Sequence, residues 1–557
     1  MSKYVIGIDF GTLSARALVA EVGTGRELGS ASMDYPHGVL DKRLPDGTIL
    51  PPDWALQHPQ DYLDCLFTIV PAAVRKAGVR KEDVVGLGLD FTACTLVPTD
   101  GQGTPLCLKP AFSGKLHAWP TLWKHHAAQD EANRMTAIAA ARGERFLERY
   151  GGRVNCEWLF PKLWQVLNEA PEVYAAAARF VEAGDWVVWQ LTAREARSSS
   201  MAGYKAFWHK RDGVPSPEFF AACDPRLKNA ATEKLAQDIL PIGSRAGGLT
   251  ETAAARLGLC PGTAVAVSNI DAHVSLPPAG ITEPGTLMMI MGTSTCHILL
   301  SREERPVPGM CGAVEDGVVP GLVGYECSQM MGDHYNWFVE NCVPEPLTRE
   351  AAARGIDLHT LLSEKAAALR PGESGLVALD WWNGSRSVLV DGQLSGLMLG
   401  MTLNTPPEAL YRALVEATAY GARMILDTFL GAGLDVGRIC TCGGIARKNP
   451  FVMQLYADVL DRELCVARSA ETPALGSAMF AAVVAGCYAD IGAAAREMGG
   501  LTDAVYRPDP ENAAVYARLY QEYAWLHEYF GRGANDVMKR LKAIQLEQLK
   551  RAGKLER

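Results

Sequence analysis

The chain has 557 residues, 48% of them hydrophobic and 21% charged, with a formal net charge of −9. That length exceeds a single core and predicts two or more domains, while the acidic balance argues against nucleic acid or an anionic membrane as the main partner and favours a small molecule. Its 14 cysteines lack framework spacing, with Cys440 and Cys442 the one close pair, and so predict reduced, mostly buried thiols and a cytoplasmic protein.

The N-terminus runs from Met-Ser-Lys straight into "YVIGIDF" (4–10) without a leader pattern, and no run of about 18 apolar residues predicts a membrane span. Further strand candidates are "VVGLGLDF" (84–91), "TLMMIMGT" (286–293) and "ICTCGG" (439–444); helical periodicity covers 59–77, 127–149, 406–432 and 449–461. Pro406-Pro407 and Asn449-Pro450 are helix-start signals. Such alternation predicts α/β layers. The tail "VMKRLKAIQLEQLKRAGKLER" (537–557) reads as a terminal helix packing on its own domain through Val537, Leu541, Ile544 and Leu549.

"GIDFGTLSARALVAEV" and "TLMMIMGTSTCHILLS" are internally similar: each is an apolar strand, a Gly-Thr turn with a Ser just after it, and a second apolar strand. Two domains of related architecture follow, with a boundary near 272–285, where "VSLPPAGITEPG" is rich in Pro and Gly. We therefore expect domains over 1–275 and 276–557.

A Gly-Thr turn offers N–H groups and hydroxyls to an anion, and Gly11 lets the backbone approach closely. Neither turn has the P-loop pattern with its lysine, so positive charge must come from Arg16 or from a divalent cation held by Asp9. Alternatively, Asp9 caps its own turn; the second hydroxyl turn tips the reading towards phosphate. "CTCGGIARKNP" follows a strand and opens a helix, so Gly443, Gly444 and the helix amides can receive a nucleotide, although Gly-Gly also serves sterics alone. "AVAVSNIDAHVSLPPAG" delivers Asp271 and His273 to a strand end beside the boundary. Asp271 can take a proton from an attacking hydroxyl or cap the next element, and His273 supports the loop better than it ligates a metal.

Together "IDFGTLSAR", Asp271, "IMGTSTC" and "CGGIARKN" resemble, in order and spacing over nearly the whole chain, the FGGY family of carbohydrate kinases. The resemblance implies two actin-like (ribonuclease H-like) domains, each a mixed sheet flanked by helices, with the active site in the cleft between them. The first domain would carry most of the sugar site and the second most of the nucleotide site. It implies ATP and Mg²⁺ as cofactors, Gly11, Thr12 and Ser14 with Gly292, Thr293 and Ser294 on the triphosphate, Gly443, Gly444 and Asn449 on the adenosine side, Asp271 as base, and Asp9 on the magnesium side.

Eight further stretches resemble the members of the family that phosphorylate the C5 hydroxyl of L-ribulose in L-arabinose catabolism: "DFTACT", "LWKHH", "CEWLFPKLWQV", "AGDWVVWQLT", "MAGYKAFWH", "GLVGYECSQ", "LDWWNGSRSVLVD" and "GGIARKN". One departure is "NIDAH", where much of the wider family has glycines before the Asp. A sugar pocket needs paired donors and acceptors. Lys205 can donate, Glu326 can accept, and small Ala93 leaves room beside Asp90 and Thr92, with Trp123 and Trp158 as candidate walls. Other pentuloses or pentitols remain open as substrates, and a homodimer as the assembly. An actin-fold ATPase acting on a protein would share the turns but gives no reason for Asp271 beside Lys205 and Glu326; a non-catalytic sugar-binding regulator would not need Asp271 or the turns.

Overall fold

The computed structural model describes residues 2–552 and contains two seven-stranded mixed sheets. The first is built on β1 (Tyr4–Phe10), β2 (Ser14–Glu21), β3 (Glu27–Asp34) and β4 (Val84–Phe91), in the order β3-β2-β1-β4, followed by Ala264–Ala266 and Arg245–Gly248, with Asn269–Ile270 also paired to β4. β1 and β2 form an antiparallel hairpin, and β1 and β4 run parallel with Gly7 opposite Gly88 and Asp9 opposite Asp90. The second sheet repeats this plan: Val323–Met330, Ser294–Ser301 and Gly285–Met291 are antiparallel neighbours, and Val436–Cys442 joins Gly285–Met291 in parallel. In both sheets the parallel strand covers the hairpin's first strand, so the two Gly-Thr turns stand at equivalent places.

Helices form where the sequence places caps. Pro59–Ala77 starts on His58, whose ring accepts from the Gln60 N–H, has Pro59 in its first turn, and ends at Gly78 in the left-handed region (φ 67°). Tyr62, Leu66, Ile69, Val70 and Ala73 recur at helical spacing and are buried under the first sheet. His37, His58 and Asp61 lie together at the start of this helix. His58 Nδ1 is occupied by the cap at 3.2 Å and His37 Nδ1 by Asp61 at 2.7 Å, which reads as helix capping rather than metal ligation.

The helix Thr472–Val484 belongs by sequence to the C-terminal part but lies on the first sheet. Gly7, Gly86 and Gly88 make this possible: a Cβ at any of them would run into the backbone of Ala474, Ala481 or Ser477. The helix is apolar on nearly every side, and its core continues to Cys440, Cys442 and Cys465 of the second sheet. A separate core under Trp164, Phe160, Phe207 and Phe219 belongs to the long excursion between β4 and Arg245–Gly248.

The expected helix over 127–149 is shorter, Gln129–Arg142, because Gly143 takes the left-handed cap (φ 67°) and a 3₁₀ turn follows. The tail forms a helix over Val537–Arg551, but of its expected stripe Leu541 and Ile544 point outwards (59% and 55% exposed), and only Met538 is buried. Lys539 to Asp391 (2.6 Å) and Lys542 to the Gly392 carbonyl (3.1 Å) tether it; residues 553–557 of that expectation lie outside the described residues. All 14 cysteines are free thiols, and no described helix is long and apolar enough to cross a membrane.

Candidate active site

The first hydroxyl turn has its carbonyls tied back. Gly11 O accepts from Tyr35 Oη (3.1 Å), Leu13 O from Tyr35 N (2.9 Å), and Thr12 O from Gln57 Nε2 (2.8 Å), which in turn is held by Tyr62 Oη (2.7 Å). Among the described residues the Thr12 and Leu13 N–H groups have no protein acceptor, so the turn presents donors outward. The second turn is one residue shorter but follows the same logic. Gly292 O accepts from Gly332 N (3.1 Å), and Thr293 O from Met331 N (3.1 Å) and Asp333 N (3.3 Å). A loop of free N–H groups with every carbonyl tied back suits an anion. Thr12 Oγ1 accepts from Trp123 Nε1 (3.0 Å), and the Arg386 guanidinium lies over that indole at 5.2 Å, bringing a cation that sequence reasoning missed. Arg16, by contrast, is paired with Glu471 (2.6 Å) just before the crossing helix.

Gly443, with φ 96°, lies against the Met291 carbonyl beside the second turn, where a Cβ has no room, whereas Gly444 has open space around it. Asn449 is used structurally, its side chain accepting from Val452 N (3.1 Å) to cap Pro450–Leu460 and donating to Ser363 Oγ (2.9 Å).

Three carboxylates converge at the ends of neighbouring parallel strands. Asp9 and Asp90 are register partners; Asp271 follows Asn269–Ile270, which pairs with the end of β4, and its N–H donates to the Phe91 carbonyl at 3.2 Å. Asp90 Oδ2 accepts from Ser477 Oγ of the crossing helix at 2.6 Å. Burial raises the Asp9 carboxyl, and burial together with the charge of Asp9 raises that of Asp90 further. Burial, then the charge of Asp9, pushes Asp271 up to about 7, although the Ala272 N–H (2.7 Å) and Lys205 pull the other way. An acid tuned to neutral pH suits general-base work.

Lys205 ends the helix Ser199–Lys205 and reaches Glu326 on Val323–Met330 with Nζ–O distances of 3.1 and 3.0 Å. The two predicted sugar contacts therefore bind each other and bridge the two halves of the chain. Burial alone would raise Glu326, but Lys205 and His273 overcome it and hold the carboxyl at about 2; burial likewise opposes the Lys205 charge, and Glu326 more than offsets it. Ala93 lies in the loop after β4, next to Cys94 in the left-handed region (φ 66°).

That loop is fixed by Lys162, a buried lysine whose Nζ donates to the carbonyls of Cys94 (2.6 Å), Leu122 (2.7 Å) and Thr121 (3.3 Å). It thereby ties the wall at Ala93 to the segment carrying Trp123. A lysine in an otherwise apolar stretch, "LFPKLWQV", was the available signal for it. Ser477 and Gln57 gave none. Trp158 is not a sugar wall: it is 4% exposed and packs on Tyr150 and Phe207 in the core.

The sequence matches the N-terminal domain of the FGGY family of carbohydrate kinases over residues 4–276 and its C-terminal domain over 287–485. It is 55% identical over 546 residues to a ribulokinase of Geobacillus thermodenitrificans (97% of each chain), and 51% identical to a ribulokinase of Mycolicibacterium smegmatis (98% of this chain, 96% of the other). Its fold is similar to that of xylulose kinase from Rhodospirillum rubrum, with a TM-score of 0.77 at 24% identity, covering 94% of this chain and 98% of that one. Two matched domain models and relatives spanning nearly the whole length leave one assignment: the chain belongs to the FGGY family of carbohydrate kinases.

Proposed function

We propose that this kinase transfers the γ-phosphoryl group of ATP to the C5 hydroxyl of L-ribulose, as in L-arabinose catabolism. The observation that carries this reading is the run of curated ribulokinases 51–55% identical over nearly the whole chain. The pairing of Lys205 and Glu326 beside a base tuned to neutral pH supports it chemically. The xylulose kinase structures, being less than 25% identical, speak to fold alone.

In this mechanism the sugar lies between Ala93, Lys205, Glu326 and Asp271, and Asp271 positions the C5 hydroxyl and accepts its proton as it attacks in line. The free N–H groups of the two turns, with the Thr12, Ser14, Thr293 and Ser294 hydroxyls, hold the phosphates; Gly443 and Gly444 border the adenosine. Mg²⁺ fits beside Asp9: two carboxylates on neighbouring strand ends need either a shared proton or a cation, and among the described residues Asp90 Oδ1 is buried with no donor. When bound, the ion would neutralise charge on the phosphates. Since both halves of the chain contribute contacts, sugar binding draws them together and excludes water from the γ-phosphate.

The test is ADP release with L-ribulose, D-ribulose, L- and D-xylulose, ribitol and glycerol. L-ribulose is expected to be among the best substrates by kcat/KM; a clear preference for another would overturn the substrate while leaving the kinase class intact. Asp271→Asn should lower kcat by about 10²- to 10⁴-fold with little change in ATP affinity.

A further inference from the structure

His273 stands two residues after Asp271, opening the short helix His273–Ser275, and its side chain is fully buried. Its Nε2 lies 3.1 Å from Glu326 Oε2, and its ring packs at 4.2 Å on Tyr204, whose hydroxyl donates to the Gly324 carbonyl at 2.6 Å. The same loop is braced by Ser275 Oγ, 3.3 Å from the Asp271 carbonyl. The base and this histidine are thus one rigid segment, and the histidine reaches across to the opposite half of the chain.

Glu326 has about four lone-pair positions. Lys205 takes one on each oxygen and His273 takes a second on Oε2, leaving Oε1 with a free position. Burial keeps His273 neutral, and Glu326 stays ionised, so Nε2 must carry the hydrogen and donate it. Among the described residues His273 Nδ1 is then a buried acceptor without a partner. This tautomer is useful only if the donor on Nε2 is the point of the arrangement.

We infer that His273 is a positioning residue: by donating from Nε2 to Glu326 Oε2 it sets the rotation of that carboxylate, directs Oε1 at a sugar hydroxyl, and fixes the sugar relative to Asp271. The inference rests on the reading that Glu326 contacts the sugar. Lys205 alone cannot do this, because a point charge bound to both oxygens leaves the carboxylate free to rock about the bond to Cγ. The neutral donor adds direction without adding charge.

Three variants separate this role from packing against Tyr204: His273→Gln, His273→Asn and His273→Phe. A glutamine amide nitrogen falls near the position of Nε2, an asparagine amide nitrogen near that of Nδ1, and phenylalanine keeps the ring but has no donor. A hydrogen bond to a charged group predicts a 10- to 100-fold rise in the KM for L-ribulose in the Asn and Phe variants, with the KM for ATP within about two-fold of wild type. The Gln variant should recover to within about five-fold. In a Glu326→Gln background, His273→Phe should add little, because its target is gone.

A Phe variant with wild-type sugar KM, or a Gln variant as impaired as Phe, would overturn the inference and leave a packing role. If Phe does not fold, as judged by thermal unfolding, the Gln and Asn pair carries the same comparison. If Glu326→Gln itself binds L-ribulose normally, the sugar-site reading fails, which is a different result from failure of His273 alone.

Discussion

Replacing Asp271 by Asn should stabilise the protein while it stops turnover. In the folded chain burial and Asp9 push this carboxyl up to about 7, from an ordinary aspartate value of 3.8. Above pH 7 the folded protein must hold Asp271 ionised in surroundings that disfavour the charge, and unfolding relieves that cost. A difference of about three pKa units corresponds to about 4 kcal/mol, an upper figure because neighbouring acids relax. Half of it would raise Tm by about 4 °C in a domain of this size. The sign follows from linkage: a raised acid destabilises fully above its folded pKa, the effect fades as pH falls from about 7, and it vanishes near pH 4, where both states are protonated. Asn keeps the acceptor for the Ala272 N–H, so no other hydrogen bond need change. Thermal unfolding of wild type and Asp271→Asn, without nucleotide and with a chelator, should show the variant several degrees higher at pH 8, with the gain less than half as large at pH 5 and nearly gone at pH 4. Equal midpoints at pH 8, or a gain independent of pH, would refute the burial argument. The same group predicts that kcat/KM for the sugar falls on the acid side of about pH 7, as the base becomes protonated.

Other positions offer independent checks. Gly88→Ala places a Cβ against the Ser477 carbonyl of the crossing helix and should cost about 3 kcal/mol of stability, with a marked fall in Tm, whereas Gly444→Ala, which meets no atom, should leave stability unchanged. Lys162→Met leaves the Cys94 and Leu122 carbonyls without their donor; a loss of about 2 kcal/mol with a raised sugar KM is expected, and an unchanged sugar KM would separate the lysine from the Ala93 wall. Arg16 and Glu471 form a partly exposed pair worth at most about 1 kcal/mol. If Arg16 serves mainly that pair, Arg16→Ala and Glu471→Ala should have similar, non-additive effects; a rise in ATP KM for Arg16→Ala alone would give it the phosphate role.

The parts of this molecule that sequence made visible are those whose cause is local. Apolar runs placed β1 and β4, and helical periodicity placed Pro59–Ala77, because a run of neighbours decides each of them. The duplicated Gly-Thr turns were readable for the same reason, and the structure added why they suit anions: Tyr35, Gln57 and residues 331–333 take up the carbonyls, and those partners are remote in sequence. Nothing in "VVGLGLDF" says that Gly86 and Gly88 meet a backbone nearly 400 residues further on, at Ala481 and Ser477. Arg16 and Lys205 show the same limit from the other side. Their residue types suit phosphate and sugar, yet each charge is bound to an acid from the opposite half of the chain, Glu471 and Glu326. A charge that faces a cleft between two domains is therefore incompletely described by its own neighbours. Its partner is set by how the two halves meet, and the glycine-lined seat of Thr472–Val484 fixes that meeting more firmly than either ion pair does.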